Sequence, residues 1–357
     1  MIMTSGVEAT DRAAGTGTRS VGRAETAPQA AAGFSNILAC IDNSPQAGVV
    51  LDWAAALARR LPASLGTLCV LDTAAGSVAP HDPIGWEMRR IEARSRSERL
   101  LDHACAETGR EASIEVSIGQ FEDRFRARLE AAPVDLCLVG AVGEGRRPNR
   151  RLGDTARYIV EAAPCSVLVV PPRAADHAGR EPVTVRRLMV PLDCSRRAES
   201  ALPAAIALAE AFGAEMVMAH ALPEPAITEI GPPDAAGIAL RREIAEHNQR
   251  AAARYMSRLR ARLALDRRPI RTLVLNGADP RHRLARAAAE EGVDLVVLAA
   301  KGAGGYADQA LGSVADFLLT HLGRPLLIVR PGAGRRAPAV ARRAAPASAE
   351  ASMRNRS

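Results

Sequence analysis

The sequence predicts an α/β chain made of two tandem copies of one small domain. Each copy is a five-stranded parallel sheet with helices on both faces, a Rossmann-like arrangement. Three observations predict it. The chain repeats itself, apolar runs alternate with helical segments inside each copy, and those runs are the unbroken Val, Leu and Ile of strands buried on both faces. ILACIDNS at 37–44 matches LMVPLDCS at 188–195, and VDLCLVGAVGEG at 134–145 matches VDLVVLAAKGAG at 293–304. RRLGDTARYIV at 150–160 matches QALGSVADFLL at 309–319, and CSVLVVPP at 165–172 matches RPLLIVRP at 324–331. Asp42 and Asp193 are 151 residues apart, while Gly143–Gly302 and Gly153–Gly312 are each 159 apart, so the second copy gains eight residues, mainly between its second and third strands.

The elements follow in order within each copy. The first strand ends in Asp, and a helix then opens at a Ser cap, Ser44 followed by Pro45 or Ser195. These helices span 45–61 and 196–212, the second stopped by Gly213. The second strand is 65–71 and 215–221. A long charged helix covers 86–108 and 237–265, with the character of an amphipathic cover. The third strand is 113–118 and 270–275, and a short helix follows at 121–132 and 280–291. The fourth strand, 135–140 and 294–299, leads through a Gly-rich loop to a helix at 153–163 and 312–322. The fifth strand is 166–171 and 325–330. Domain one is thus 34–172 and domain two 184–331, joined by a polar Pro- and Gly-containing linker at 173–183. Residues 1–33 and 332–357 lack periodicity and are read as disordered tails.

Composition excludes several classes. Hydrophobic residues make up 48% of the 357, but aromatics only 3%, so the cores must be aliphatic. The net charge of +7 is concentrated in the C-terminal tail, where residues 335–357 hold six Arg and one Glu. With no aromatics interleaved among the basic residues, nucleic-acid binding by the folded part is not expected. The six cysteines form no C-x-x-C pair, and Cys40, Cys69 and Cys137 fall in apolar runs, which suits a reduced, cytoplasmic protein. No apolar run approaches the roughly 18 residues of a membrane helix, and the N-terminal segment reads as neither a secretory signal nor a transit peptide. His103 and Cys105 face apart on a helix and make a poor metal pair. No metal cluster is expected, and His220, near a strand end, reads as structural.

The chemistry concentrates after the fourth strand of domain two. Gly302 is followed, after nine residues, by Gly312 and Ser313 at a helix start. Glycines let backbone approach phosphate closely, and first-turn N–H groups point at it. Domain one keeps the spacing with Gly140, Gly143 and Gly153, but Asp154 stands where Ser313 does and Thr155 follows one place late. The strand-one Asp, this loop and the final strand resemble a universal stress protein domain, in two copies over roughly 280 residues. The resemblance implies binding of ATP or a related adenine nucleotide, accompanied by Mg²⁺. It places Pro191, Asp193, Ser195, Ala299, Gly302, Gly312, Ser313 and Val314 around that ligand in domain two. Asp42, Ser44, Gly140, Gly143, Gly153, Asp154 and Thr155 would form a degenerate site in domain one. Ala299 departs from the family's Gly. Arg146, Arg147, Arg150 and Arg151 would offset the Asp154 charge or form a solvated surface. Asp42 and Asp193 would otherwise be plain helix-start residues, and the loops plain turns.

The function expected is a stress-response regulator that binds nucleotide chiefly in domain two without efficient catalysis. No nucleophile–base pair can be placed beside the loop from sequence, and neither a Walker loop nor an S-G-G-x-D-S loop is present. A nucleotide-independent scaffold working through protein partners is the main alternative, and a slow ATP-hydrolysing enzyme the lesser one. The two domains are expected to pair through their sheet edges as an internal pseudo-dimer, and homodimer formation stays open.

Overall fold

The computed structural model describes residues 33–71, 83–105, 112–143, 152–172, 182–225, 234–263, 269–277, 279–303 and 309–330. The two expected tails, most of the linker and the four arginines of the domain-one loop lie outside these residues.

Repeat one runs β1 (Asn36–Ile41), α1 (Gln46–Arg60), β2 (Ser64–Leu71), α2 (Pro83–Cys105), β3 (Ala112–Ile118), α3 (Phe121–Ala131), β4 (Leu136–Gly140), α4 (Asp154–Ala162) and β5 (Ser166–Val170). Repeat two runs β6 (Arg187–Pro191), α5 (Arg196–Glu199), α6 (Leu202–Phe212), β7 (Glu215–Leu222), α7 (Ala235–Leu263), β8 (Ile270–Asn276), α8 (Pro280–Glu290), β9 (Leu295–Ala299), α9 (Ser313–His321) and β10 (Leu326–Val329). One difference from the sequence reading has a clear cause. The helix expected over 196–212 is broken at Ser200–Ala201 into α5 and α6. Pro203 has no N–H to offer the carbonyl four residues back, so the ladder cannot run through it. Gly213 closes α6 in the left-handed region (φ 71°), where it donates back to Ala209 and Glu210.

The ten strands form one sheet, ordered β3-β2-β1-β4-β5-β10-β9-β6-β7-β8. All neighbours are parallel except β5 and β10, which pair antiparallel with Leu168 opposite Leu327. The repeats therefore join edge to edge, and each strand five finds its missing partner in the other copy. Alternate residues of β1 feed two cores: Ile37, Ala39 and Ile41 face the layer holding α1, α2, α6 and α7, and Leu38 and Cys40 face the layer of α3, α4, α8 and α9. Both cores run across the seam. Polar contacts reinforce it. Arg60 donates to the Ala211 carbonyl at 3.1 Å with its guanidinium 4.6 Å above the Phe212 ring, and the Arg330 N–H donates to Ser166 Oγ at 3.2 Å.

A repeated carboxylate fixes strand one against strand four. Asp135 Oδ2 accepts from the backbone N–H groups of Ser35 and Asn36, both at 2.9 Å. Asp294 Oδ2 does the same for Arg186 (2.7 Å) and Arg187 (3.0 Å). The V-D-L in each copy is thus a structural clasp at the N-terminal ends of the strands, far along the strands from the Gly-rich loops.

Candidate functional site

In repeat two, β6 ends at the buried Pro191 and the chain turns sharply. Cys194 adopts φ 65°, the only non-glycine in the left-handed region among the described residues. That turn brings Ser195 back onto Asp193: the Ser195 N–H (3.0 Å) and hydroxyl (2.6 Å) both donate to Asp193 Oδ1. Ser195 Oγ in turn accepts from the Ala198 N–H at 3.0 Å, capping α5. The other carboxylate oxygen accepts from the Ala303 N–H at 2.5 Å, so Asp193 clasps the start of the Gly-rich loop. Burial alone would push the Asp193 carboxyl up. The hydrogen bonds from the Ser195 hydroxyl, the Ala303 N–H and the Ser195 N–H outweigh it and hold the carboxyl below its ordinary value. Gly302 is required by this clasp, because a methyl there would overlap Asp193 Oδ2.

The loop then closes on itself. The Gly312 N–H donates to the Ala300 carbonyl at 2.8 Å, and a side chain on Gly312 would lie 3.6 Å from the Gly302 nitrogen. Gly312 is the N-cap of α9 (φ −80°, ψ 159°) and has no side chain with which to cap the helix, so among the described residues the first-turn donors stand beside the exposed Ser313 without a side-chain cap. First-turn N–H groups, a hydroxyl and bare glycine backbone are groups with which a helix start can hold a phosphate. Asp193, Ser195, Gly302, Gly312 and Ser313 therefore come together at the strand ends of repeat two. Val314 follows in the same first turn, and Ala299 closes β9 as buried wall.

Repeat one is built alike. Asp42 Oδ1 accepts from the Ser44 N–H (3.0 Å) and hydroxyl (2.5 Å), and Gly143 approaches Asp42 Oδ2 as Gly302 approaches Asp193. The Gly153 N–H donates to the Ala141 carbonyl at 2.7 Å, and Gly153 caps α4 with φ −74° and ψ 160°. The backbone cradle is the same; the first helical residue is exposed Asp154, followed by exposed Thr155. A methyl on Gly140 would lie 3.2 Å from the Val142 carbonyl, tighter than ordinary contact, and 3.5 Å from Val50, an ordinary contact.

A cavity of about 1060 Å³ opens at the strand ends of repeat one, with Asp42, Gly143 and Asp154 on its loop side and Trp86, Arg89 and Arg96 of α2 on the other. Sequence reasoning singled out none of the α2 residues, because their spacing reads as an ordinary amphipathic helix. It also placed no nucleophile–base pair beside the loop; the structure brings Cys194 and His220 into contact there without making them one. His220 is 9% exposed; its Nδ1 lies 2.7 Å from the Leu192 carbonyl and so donates, leaving Nε2 3.8 Å from Cys194 Sγ. The thiol is not activated: burial, then the charges of Asp193 and Glu199, push it up from its ordinary value, opposite to what a nucleophilic cysteine needs.

The Universal stress protein family matches residues 33–171 and again 184–330. A universal stress protein of Mycobacterium tuberculosis H37Rv is 26% identical over 311 residues, covering 82% of this chain and 96% of its own. Among solved structures, a universal stress protein from Archaeoglobus fulgidus covers 83% of this chain and 98% of its own with TM-score 0.57 at 15% identity. One from Pseudomonas aeruginosa covers 84% and 94% with TM-score 0.59 at 16% identity. These two likenesses bear on the fold.

Proposed function

The chain belongs to the universal stress protein family, and we propose that it is a cytoplasmic stress-response regulator that binds ATP or a related adenine nucleotide chiefly in repeat two, without efficient catalysis. The observation that carries this is the cradle at α9: glycine backbone clasped by Asp193, a first turn that opens on Gly312 with no side-chain cap among the described residues, and the Ser313 hydroxyl. The cradle fits a phosphate chain, and Mg²⁺ would arrive on the phosphates, with Asp193 the nearest carboxylate of the clasp.

Repeat one shares the backbone and differs at the decisive residue. A carboxylate at Asp154 about 4 Å from a phosphate costs roughly 1 kcal/mol in water-like surroundings and about 4 at an effective dielectric of 20. That is about fivefold to nearly a thousandfold in affinity. The reading without efficient catalysis is supported by the state of Cys194, whose thiol is raised where a nucleophile's would be lowered. The cytoplasmic reading is supported by the free cysteines Cys40, Cys69, Cys137, Cys165 and Cys194. Among the described residues no helix is long and apolar enough to cross a membrane.

Equilibrium dialysis with ATP tests the proposal, using the wild type beside Gly302→Asp/Ser313→Ala and beside Gly143→Asp. One site per chain, lost only with the repeat-two variant, is expected. Absence of binding at millimolar ATP would favour the nucleotide-independent scaffold and send the search to protein partners.

A further inference from the structure

The repeat-one cavity has a wall that a nucleotide cradle does not require. Trp86, Arg89, Ala93 and Arg96 all line it, and their spacing of three and four residues puts them on one face of α2. Arg99 lines it further along the same helix, with Glu92 the opposing charge. The α2 wall is therefore net positive and aromatic, while the facing loop side carries Asp42 and Asp154.

Repeat two lacks this wall. Ala93, Ser97 and Leu100 pack inward from α2 as Ala252, Met256 and Leu259 do from α7, an offset of 159 that equals the offset of the glycine loops. In that register Trp86, Arg89 and Arg96 become Ala245, Asn248 and Tyr255. The Tyr255 hydroxyl donates to Glu199 at 2.8 Å, and Arg262 donates to the same carboxylate at 2.6 Å, which ties α7 down to α5. Repeat one has Gly48 where repeat two has Glu199, so no such tie can form there. One copy thus fastens this helix over its strand ends, and in the other the described residues leave a basic, aromatic-walled cavity there.

We infer that the repeat-one cavity is a separate ligand site for a planar aromatic acid, its ring against Trp86 and its carboxylate or sulfonate held by Arg89 and Arg96. Guanidinium forks match such head groups in geometry and charge, and an indole face suits a flat ring. The acid group sits on the α2 side, away from Asp42 and Asp154, which disfavour a polyphosphate on the loop side. The inference stands apart from nucleotide binding in repeat two, and the two succeed or fail separately.

The test is calorimetric titration of the full chain with 2-naphthoate. We expect one saturable site, weakened about tenfold or more in Arg89→Ala/Arg96→Ala. The neutral 2-naphthamide should bind weaker by a similar factor, and Gly302→Asp/Ser313→Ala should titrate like the wild type. Circular dichroism of each variant establishes that it is folded; Arg89 and Arg96 are partly exposed on α2, and their truncation leaves the core intact. The inference is overturned by any of three results: no saturable binding at millimolar naphthoate, equal binding of acid and amide, or wild-type affinity in the folded double-arginine variant.

Discussion

Replacing Gly302 with Ala probes the clasp that holds the repeat-two loop. The added methyl would overlap Asp193 Oδ2, so either the carboxylate or the loop must move, and the Ala303–Asp193 hydrogen bond of 2.5 Å is lost or bent. A hydrogen bond to a charged acceptor contributes about 1.5–3 kcal/mol, less here because Asp193 is partly exposed, and local overpacking adds about 1–3. We expect a net loss of about 1–3 kcal/mol, read as a fall in melting temperature of about 1–2 °C per kcal/mol for a chain of this size. The decisive step is a double-mutant cycle with Asp193→Ala. With the carboxylate gone the methyl meets no obstacle, and Gly302 has no positive φ to preserve. In that background Gly302→Ala should become neutral or stabilise by about 0.4–1 kcal/mol through the unfolded chain. Additive costs in the two backgrounds would show that the close approach to Asp193 is not what the glycine serves.

Three further expectations follow from the same geometry. Asp154→Ser restores a hydroxyl to a cradle whose backbone already matches that of repeat two, and dialysis should then count a second ATP site per chain; an unchanged count would remove Asp154 as the discriminating residue. Leu168, 2% exposed and opposite Leu327 at the seam, should cost about 2–5 kcal/mol when cut to Ala, measured by denaturant unfolding; a cost well under 1 would mean the seam is not a packed core. The lowered Asp193 carboxyl adds stability that is complete above its unfolded value of about 3.9 and fades as pH falls through the lower folded value. The stability gap between wild type and Asp193→Asn should therefore shrink below about pH 4, and a gap that holds constant into strong acid would contradict the assignment.

The alternation of strands and helices was legible because each strand is an unbroken aliphatic run and each helix is fenced by Ser, Gly or Pro. The repeat made the reading firmer, since each element had to be explained twice. What stayed hidden depended on distance in the chain. Pro203 was visible, but its effect on the helix begun at Ser195 emerges only from the hydrogen-bond ladder. The V-D-L repeat was seen as a strand start, while the clasp of Asp135 on residues 99 and 100 positions earlier is a tertiary fact. Trp86, Arg89 and Arg96 sit at spacings common to any covering helix, and only the strand ends beneath them give those positions meaning. Cys194 and His220 are 26 residues apart and meet because β6 and β7 are neighbours.

In the proposed function a phosphate chain rests on the first turn of α9. A crystal structure of the full chain grown with ATP and Mg²⁺ tests it most directly. Phosphate density is expected within hydrogen-bond reach of the Ser313 hydroxyl and the N–H groups after Gly312, and none in the matching place at Asp154. Phosphates at the start of α4, or an empty α9 cradle at saturating ATP, would contradict it.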